Sequence, residues 1–262
     1  MSIEELYTIY LRHPSVQTDT RKLRNGDIFF ALKGPNFNGN QFARQALQNG
    51  AAYAVTDEKR GEADERLIFV DDALNTLQQL ALYHRQQFNI PFLAITGSNG
   101  KTTTKELVST VLATHYKTYT TQGNLNNHIG IPITILDIRN DAEMAVIEMG
   151  ANHQGEIASY CSYVLPTHGI ITNCGKAHLE GFGGIEGVKK GKGELFDYLR
   201  NNGGTAFIFS DYDYLQEMSK GIRQVFTYGT VEGDVTGEVL SGEPLLSVRL
   251  TGGINLDKIE TN

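Results

Sequence analysis

The sequence predicts an α/β protein with a small N-terminal α/β domain over residues 1–89 and a larger domain over residues 90–262, which has a mostly parallel sheet and a β-rich tail. Three observations support this class. Short apolar runs alternate with amphipathic stretches of helical length, which is typical of a sheet covered by helices on both faces. Asn-Ile-Pro at residues 89–91 interrupts the pattern. A glycine-rich turn at residues 97–100 then joins an apolar strand to a helix.

The composition is that of a globular protein without a basic surface. The chain has 262 residues, of which 40% are hydrophobic and 20% charged, with a formal net charge of −7. This charge argues against a general nucleic-acid binder, so no nucleic-acid partner is expected. No signal peptide is expected, and no apolar run approaches the roughly 20 residues of a membrane span. Cys161 and Cys174 have no ligand spacing, which favours free thiols and a cytoplasmic protein.

The N-terminal domain is predicted from short strands and two helices. Strands are expected at residues 27–32, 51–55 and 67–70, a polar loop at residues 33–40, and helices at residues 41–48 and 72–88. Gly50 is expected to end the first helix, and Asp72 to cap the second, because a short acidic side chain accepts hydrogen bonds from the first helical amides.

The second domain alternates strand and helix more regularly. Strands are expected at residues 91–95, 145–149, 169–173 and 205–209, helices at 101–115, 154–163 and 185–199, and short β segments at 225–228, 235–240 and 245–250, with no closing helix over 256–262. Ligands bind at the carboxyl ends of the strands in such sheets. Gly97, Glu148 and Asn173 all fall at strand ends, so we expect them to lie close together.

The sequence ITGSNGKTTTKE at residues 95–106 predicts a polyphosphate site for ATP. Glycines let the backbone approach the phosphates, and the amides that open a helix point at the negative charge. Lys101 is expected on the β- and γ-phosphates and the Thr102 hydroxyl on Mg²⁺. The nucleotide-binding residues of this turn and helix start are predicted to be Gly97, Ser98, Asn99, Gly100, Lys101, Thr102 and Thr103. The gap between the glycines is shorter than in the common phosphate loop, so the alternatives are a chance Gly-Lys-Thr or the shorter loop of ATP-dependent amide ligases.

Two strand-end residues are candidates for a metal site beside this loop. Glu148 ends a strand that is otherwise uncharged, and a carboxylate there is costly to bury unless it is paired or bound to metal. Magnesium prefers such oxygen donors together with phosphate and water. His178 lies in the loop after the next strand. For both, the alternative is an exposed residue without a role.

Two further segments carry polar groups toward the same edge. Three lysines lie on the amphipathic helix at residues 185–199, and they form either a solvated basic face or, at one position, a buried amine. A lysine whose pKa is depressed from about 10.4 could react with carbon dioxide and give a carbamate ligand for magnesium. The asparagines of residues 123–132 either shape a turn or position a carbonyl or phosphate group.

Several motifs in one order resemble the Mur ligases of peptidoglycan synthesis. They are TGSNGKTTTKE, GNLNNHIGIPIT, VIEMGANHQGEI, ITNCGKAHLEGFG and KGKGELF, preceded by TDTR and GDIFFALKGPNFNGNQFARQALQNGAAYAV. The resemblance runs from about Gln17 to Leu250. It implies an N-terminal domain that binds a uridine nucleotide and a central ATPase domain, in a monomer that uses ATP and Mg²⁺. The most similar branch joins D-alanyl-D-alanine to UDP-N-acetylmuramoyl-tripeptide, so these are the implied partners.

The resemblance also implies roles for individual residues. The catalytic residues would be Lys101, Asn127, His178 and Lys192, and the metal ligands or their supports would be Thr102, Glu148, His178 and Lys192. Lys192 matches the carbamylated lysine of the family, and Asn124 and Asn127 would lie near the γ-phosphate and the acyl acceptor. In the first domain, Thr18, Asp19 and Arg21 would approach the UDP part of the precursor.

The chain is shorter than the ligases of this family, in which a third domain binds the incoming amino acid and helps to hold the adenine. We therefore expect a two-domain fragment that binds ligands with little or no turnover. Alternatives are the Mur ligase that adds the third residue, a folylpolyglutamate synthase, and a non-catalytic module that binds nucleotide and precursor. A generic phosphate-loop GTPase or kinase fits less well, because no guanine-reading motif is visible.

Overall fold

The computed structural model describes residues 1–59, 64–243, 245–254 and 256–260. It confirms the α/β class, with mostly parallel strands. Residues 261 and 262, the end of the predicted second domain, lie outside the described residues. Within the described part of the chain, no helix is long and apolar enough to cross a membrane.

The N-terminal part is a parallel sheet with helices packed on it. Its strands are β1 (Val16–Gln17), β2 (Ile28–Phe30), β3 (Lys33–Gly34), β4 (Phe37–Asn38), β5 (Tyr53–Thr56) and β6 (Leu67–Phe69), and its helices are α1 (Ile3–Arg12), a 3₁₀ turn (Gly39–Phe42), α2 (Ala43–Gln48) and α3 (Ala73–Arg85). The parallel sheet has the order β1-β2-β5-β6, and β3 and β4 form a separate pair. Asp72 caps α3 as expected, accepting a hydrogen bond from the Asn75 amide at 2.8 Å.

Two features of this part differ from the sequence prediction. The segment at residues 33–40 contains the antiparallel pair β3–β4, because the Gly39 amide bonds the Leu32 carbonyl and draws the segment back on itself. Helix α1 has no counterpart in the prediction. It begins in a capping box, in which the Glu5 amide donates to the Ser2 hydroxyl and the Ser2 amide donates to the Glu5 carboxylate.

The central part is a larger sheet with helices on both faces. Its strands are β7 (Phe92–Thr96), β8 (Thr118–Thr120), β9 (Met144–Glu148), β10 (His168–Ile171), β11 (Thr205–Phe209), β12 (Gln224–Gly229), β13 (Val235–Ser241), β14 (Ser247–Gly252) and β15 (Leu256–Glu260), and its helices are α4 (Lys101–Ala113), α5 (Gly130–Leu136), α6 (Glu156–Val164), α7 (Leu179–Phe182), α8 (Ile185–Asn202) and α9 (Asp213–Ser219). The order is β15-β14-β13-β12-β11-β10-β7-β9-β8. Strands β13 to β15 pair antiparallel, which gives the tail its separate β character.

The register of the parallel strands brings the predicted strand ends together. Strand β7 lies between β9 and β10, with Ile95 opposite Glu148 and Thr96 opposite Ile171. The segments that follow these three strands therefore leave the sheet at the same edge. This confirms that Gly97, Glu148 and Asn173 are neighbours at the carboxyl ends of the strands.

Helix α3 ties the two parts of the chain together. The Arg85 guanidinium donates to the carbonyls of Val164 and Leu165 at 2.8 and 2.9 Å and lies 3.7 Å from the centre of the Phe92 ring. His84 bonds the Ile138 carbonyl at 2.9 Å. One hydrophobic cluster contains residues of both parts, so the division at residue 89 stays a prediction.

Candidate active site

The glycine turn after β7 has a backbone that requires glycine at two positions. Gly97 has φ 143° and Gly100 has φ 77°, both in the region that side chains disfavour. A Cβ atom at Gly97 would lie 2.0 Å from the Thr172 hydroxyl, so the turn also depends on a close approach to the segment after β10.

The segment after β10 holds this turn in place. The Ser98 amide donates to the Asn173 carbonyl at 2.9 Å, and the Asn99 amide donates to the Asn173 Oδ1 atom at 3.1 Å. The Asn173 side-chain amide in turn donates to the Asn99 carbonyl at 3.1 Å. The amides of Ser98 and Asn99 are therefore bonded within the protein.

The amides available to an anion are those that open helix α4. No side chain caps the helix at Gly100, and the Thr104 amide makes the first bond back, to the Gly100 carbonyl at 2.9 Å. The N–H groups of residues 101–103 consequently point out of the helix end. Together with the helix dipole they favour a phosphate group at this point.

The Lys101 side chain covers the turn from the cavity side. Its ammonium donates to the carbonyls of Gly97 at 2.7 Å and Ser98 at 3.1 Å. Burial lowers its pKa, and the Glu148 carboxylate partly opposes that shift. Because both partners are neutral carbonyls, a phosphate would be a stronger acceptor for this charge.

Glu148 is a buried carboxylate with one unsatisfied oxygen. The residue is 1% exposed, and its Oε1 atom accepts from the Asn126 side-chain amide at 2.8 Å and from the Thr102 hydroxyl at 3.2 Å. Its Oε2 atom is buried without a hydrogen-bond partner among the described residues. A buried anionic oxygen of this kind is costly unless a cation completes it.

These donors fit magnesium. An unpaired carboxylate oxygen and a hydroxyl are the ligands that magnesium prefers, and the ion usually binds one or two carboxylates plus phosphates and waters. In the part of the chain that the structure describes, no group of three or more His, Cys, Asp or Glu side chains could hold a metal. The residues present therefore suit an ion that shares its coordination with a bound phosphate.

Lys192 is a second buried lysine in the same cavity. It is 2% exposed, its ammonium donates to the Ala151 carbonyl at 3.1 Å, and it lies 5.0 Å from the centre of the Phe182 ring. Burial lowers the Lys192 pKa to about 8, and the charge of Lys101 adds to the shift. At pH 7.5 about a quarter of such lysines would be neutral, against roughly a thousandth at an ordinary lysine pKa.

The pKa of Lys192 makes a prediction about stability. The unfolded chain keeps its lysine protons up to about pH 10.5, whereas folded Lys192 loses its proton near pH 8. The unfolded state therefore binds more protons between these values, so this residue makes the free energy of unfolding rise with pH across that window. Urea titrations at pH 7.5 and pH 10 should show a gain in wild type that Lys192→Met lacks.

Exposed Lys190, two positions earlier on the same helix, provides the control for this experiment. Lys190→Met should keep the wild-type pH dependence. Parallel pH profiles for wild type and Lys192→Met would contradict the assigned burial of the charge.

A cavity of about 360 Å³ has six of the predicted site residues in its lining. Its lining comprises Gly97, Ser98, Lys101, Asn126, Asn127, His128, Gly150, Ala151, Asn152, Glu156, Tyr160, Ala177, His178 and Lys192. Glu148 contacts the lining residue Asn126, and the Thr102 hydroxyl contacts Glu148. His178 is exposed at its rim, with φ 55°, and begins the short helix α7.

The other predicted residues lie in different surroundings. The Asn127 Oδ1 atom accepts from the amides of Ile129 and Gly130 at 3.0 and 2.9 Å, so this side chain caps the start of α5 as well as lining the cavity. Asn124 is exposed and is not among the lining residues. In the N-terminal part, the Arg21 guanidinium pairs with Asp19 at 2.7 Å, and this pair and Thr18 lie outside the cavity lining.

Sequence reasoning missed the asparagine that contacts the carboxylate. It selected Asn124 and Asn127 from an amide-rich loop, whereas Asn126 is the one bonded to Glu148. It also missed Thr121, whose hydroxyl accepts from the Glu148 amide at 3.0 Å. The tandem asparagines were the available signal, but only the loop conformation decides which side chain faces the strand end.

The fold and the site define a class of protein: an α/β protein in which a short glycine loop opens a helix beside the buried Glu148 carboxylate at the carboxyl ends of parallel strands. The family model described as "Mur ligase middle domain" matches residues 95–243, and "Mur ligase family, catalytic domain" matches residues 14–85. The chain belongs to the Mur ligase family.

Relatives within the family are similar over most of this chain. The UDP-N-acetylmuramoyl-tripeptide--D-alanyl-D-alanine ligase of Bacillus subtilis is 40% identical over 217 residues, covering 82% of this chain and 47% of the relative. The Escherichia coli ligase of the same name is 42% identical over 215 residues, covering 82% and 47%. The chain thus spans about half the length of the curated relatives it matches.

Solved structures agree with this relationship. MurF from Acinetobacter baumannii superimposes with a TM-score of 0.84 at 34% identity, covering 94% of this chain and 55% of that one. MurF ligase from Thermotoga maritima, solved in complex with ADP, gives a TM-score of 0.85 at 29% identity and covers 95% and 58%.

Proposed function

We propose that this chain provides the ATP site and the precursor site of a ligase that joins D-alanyl-D-alanine to UDP-N-acetylmuramoyl-tripeptide. One observation carries the proposal: within the part of the chain that the structure describes, the buried Glu148 Oε2 atom has no hydrogen-bond partner. The same carboxylate contacts the Thr102 hydroxyl at the open amides of helix α4. The names of the similar ligases support the choice of substrates. The cytoplasm and a monomer remain the expected compartment and assembly.

The reaction has two steps. The terminal carboxylate of the precursor attacks the γ-phosphate of ATP. Its oxygen bonds the γ-phosphorus, which gives an acyl phosphate, and ADP leaves as the bond between that phosphorus and the bridging oxygen breaks. The amine of D-alanyl-D-alanine then attacks the acyl phosphate carbonyl, loses a proton and expels phosphate, leaving an amide. In both steps anionic groups must be brought together, so the task of the protein is alignment and neutralisation of charge.

The residues of the cavity suit this task. Lys101 is proposed to exchange the Gly97 and Ser98 carbonyls for the β- and γ-phosphates, while the amides of residues 101–103 receive the phosphate oxygens. Glu148 and Thr102 are proposed to hold Mg²⁺, with His178 at the rim as a further ligand or support. When bound, Mg²⁺ neutralises the phosphate oxygens and favours attack on the γ-phosphate.

Lys192 is proposed to act as a carbamate. Its neutral amine, favoured by the lowered pKa of about 8, would bond the carbon of carbon dioxide and release a proton. The product would place a carboxylate in the cavity at the position of the Lys192 ammonium. Asn127 is proposed to position the acyl group, and Asn124 to approach the γ-phosphate from the exposed part of its loop.

The precursor site is proposed to include Thr18, Asp19 and Arg21. The Arg21 side chain is 87% exposed although it pairs with Asp19, so it can reach a bound anion. The pairing with Arg21 lowers the pKa of Asp19 to about 2, which keeps the carboxylate ionised and able to accept hydrogen bonds from the sugar or base of a uridine nucleotide.

The proposal is tested by calorimetric titration of this chain. UDP-N-acetylmuramoyl-tripeptide is expected to bind more tightly than the dipeptide precursor, and ATP is expected to bind more tightly with Mg²⁺ than with EDTA. Tighter binding of the dipeptide precursor would favour the ligase that adds the third residue. A folded sample that binds ATP but neither precursor would contradict the assignment of the first domain, and the assignment of the ATP site would stand.

A further inference from the structure

A third lysine, Lys105, is buried on helix α4 one turn beyond Lys101 and outside the cavity lining. It is 1% exposed. Its ammonium donates to the Thr121 carbonyl at 2.7 Å and to the Glu106 carboxylate at 2.6 Å, whose side chain is 61% exposed. Burying an ammonium is costly, and an apolar side chain of similar length would fill the same space at less cost. A role in positioning neighbouring groups would account for a charge at this position.

Thr121 connects this lysine to the carboxylate of the site. The residue is fully buried, and its amide bonds the Val146 carbonyl at 3.2 Å. Its hydroxyl accepts from the Glu148 amide at 3.0 Å. Thr121 is thus held by α4 through its carbonyl and holds the end of β9 through its hydroxyl.

The same segment ends at the asparagine that contacts Glu148. The Asn126 carbonyl accepts from the Gly150 amide at 2.8 Å, while its side chain donates to the Glu148 Oε1 atom. Residues 121–126 therefore contact the end of β9 at both of their ends. Lys105 anchors the first of these contacts to the helix that carries Thr102.

We propose that Lys105 is a positioning residue for the magnesium site: through Thr121 it sets the Glu148 carboxylate relative to the Thr102 hydroxyl. The inference rests on the proposed ATP and magnesium site and adds a residue that does not touch the ligand. Groups that support metal ligands in this way typically change metal affinity by about 10- to 100-fold when removed.

The test compares the affinity for ATP with Mg²⁺ and with EDTA by calorimetry. The ratio used here is the dissociation constant with EDTA divided by the dissociation constant with Mg²⁺. In Lys105→Met this ratio should fall at least about tenfold, while the dissociation constant with EDTA stays within about twofold of wild type. A residue that only supports the fold would weaken both values or neither. Ser109→Ala is the matched control, since Ser109 lies on the same helix and bonds Thr120 at 3.0 Å, next to Thr121. It should keep the wild-type ratio.

A second variant keeps the test decisive if Lys105→Met does not fold. Thr121→Val retains the carbonyl that Lys105 binds and removes the hydroxyl that holds the Glu148 amide, so it should lower the same ratio. If both single variants fold, the double variant should lose no more than the larger single effect, because both act along one path. If wild type binds ATP with the expected magnesium dependence and the folded variants keep the wild-type ratio, this inference is wrong and the proposed function stands. Wild type that binds no ATP would overturn the proposed function and the inference with it.

Discussion

Lys101→Ala is expected to weaken binding of Mg²⁺-ATP by on the order of 100-fold, because it removes charge-assisted hydrogen bonds to the phosphates. The fold should remain, since the hydrogen bonds of the ammonium go to two carbonyls of the turn. The midpoint of thermal unfolding should be unchanged or higher, because burial of the charge lowers the Lys101 pKa and so disfavours the charged form. Calorimetry and a thermal melt measure the two effects, and in an intact enzyme ADP formation should be abolished.

Lys190→Ala provides a charge-matched control for this variant, since Lys190 is exposed on α8. It should bind ATP as wild type does, which separates a local contact from a change in net charge. Affinity for ATP within a few-fold of wild type in Lys101→Ala would rule out the phosphate-loop assignment.

Glu148→Gln is expected to weaken ATP binding in the presence of Mg²⁺ but not in its absence. The glutamine can still accept from Asn126 and Thr102, but the charge that would hold Mg²⁺ is lost, so the gain in ATP affinity on adding Mg²⁺ should fall at least about tenfold. With EDTA the variant should bind ATP at least as tightly as wild type, because a carboxylate no longer faces the phosphates.

The same substitution should stabilise the ligand-free chain. Wild type buries a carboxylate oxygen that has no hydrogen-bond partner among the described residues, and a neutral amide at that position costs less to desolvate. We expect the free energy of unfolding to rise by about 1–3 kcal/mol, measured by urea titration with EDTA present. Glu143→Gln, just before the opposite end of β9, should change neither stability nor the magnesium dependence by as much. A destabilised Glu148→Gln with normal magnesium dependence would exclude the metal site.

Much of the fold could be predicted because its strands are short apolar runs between clear breaks. The strand predicted at residues 205–209 is β11 without a change of bounds, and the helix predicted from residue 101 begins at Lys101. Elements with weaker patterns were missed. Strand β8 has the sequence Thr-Tyr-Thr, half-buried throughout, and only pairing with β9 makes it a strand.

The features of the candidate site also fall into those that the sequence could predict and those that it could not. Lys101 and Glu148 could be proposed from the sequence, because a charged residue beside glycines or at the end of an apolar strand stands out locally. Lys192 could be chosen among three neighbouring lysines only through the resemblance to the Mur ligases. The buried oxygen of Glu148 and the contact with Asn126 could not be predicted, because they depend on where a loop crosses a strand end.

By itself, the sequence determined the class of fold, the order of most strands and helices, the glycine turn and the resemblance to the Mur ligases, because apolar periodicity and glycine spacing are local properties of the chain. Only the tertiary structure decided which groups meet. Strands β7, β9 and β10 are distant in sequence but adjacent in the sheet. Their register brings Thr102, Glu148 and Asn126 into contact, and the burial that follows lowers the Lys192 pKa to about 8. Contacts and desolvation arise from the folded chain as a whole, so no local pattern records them.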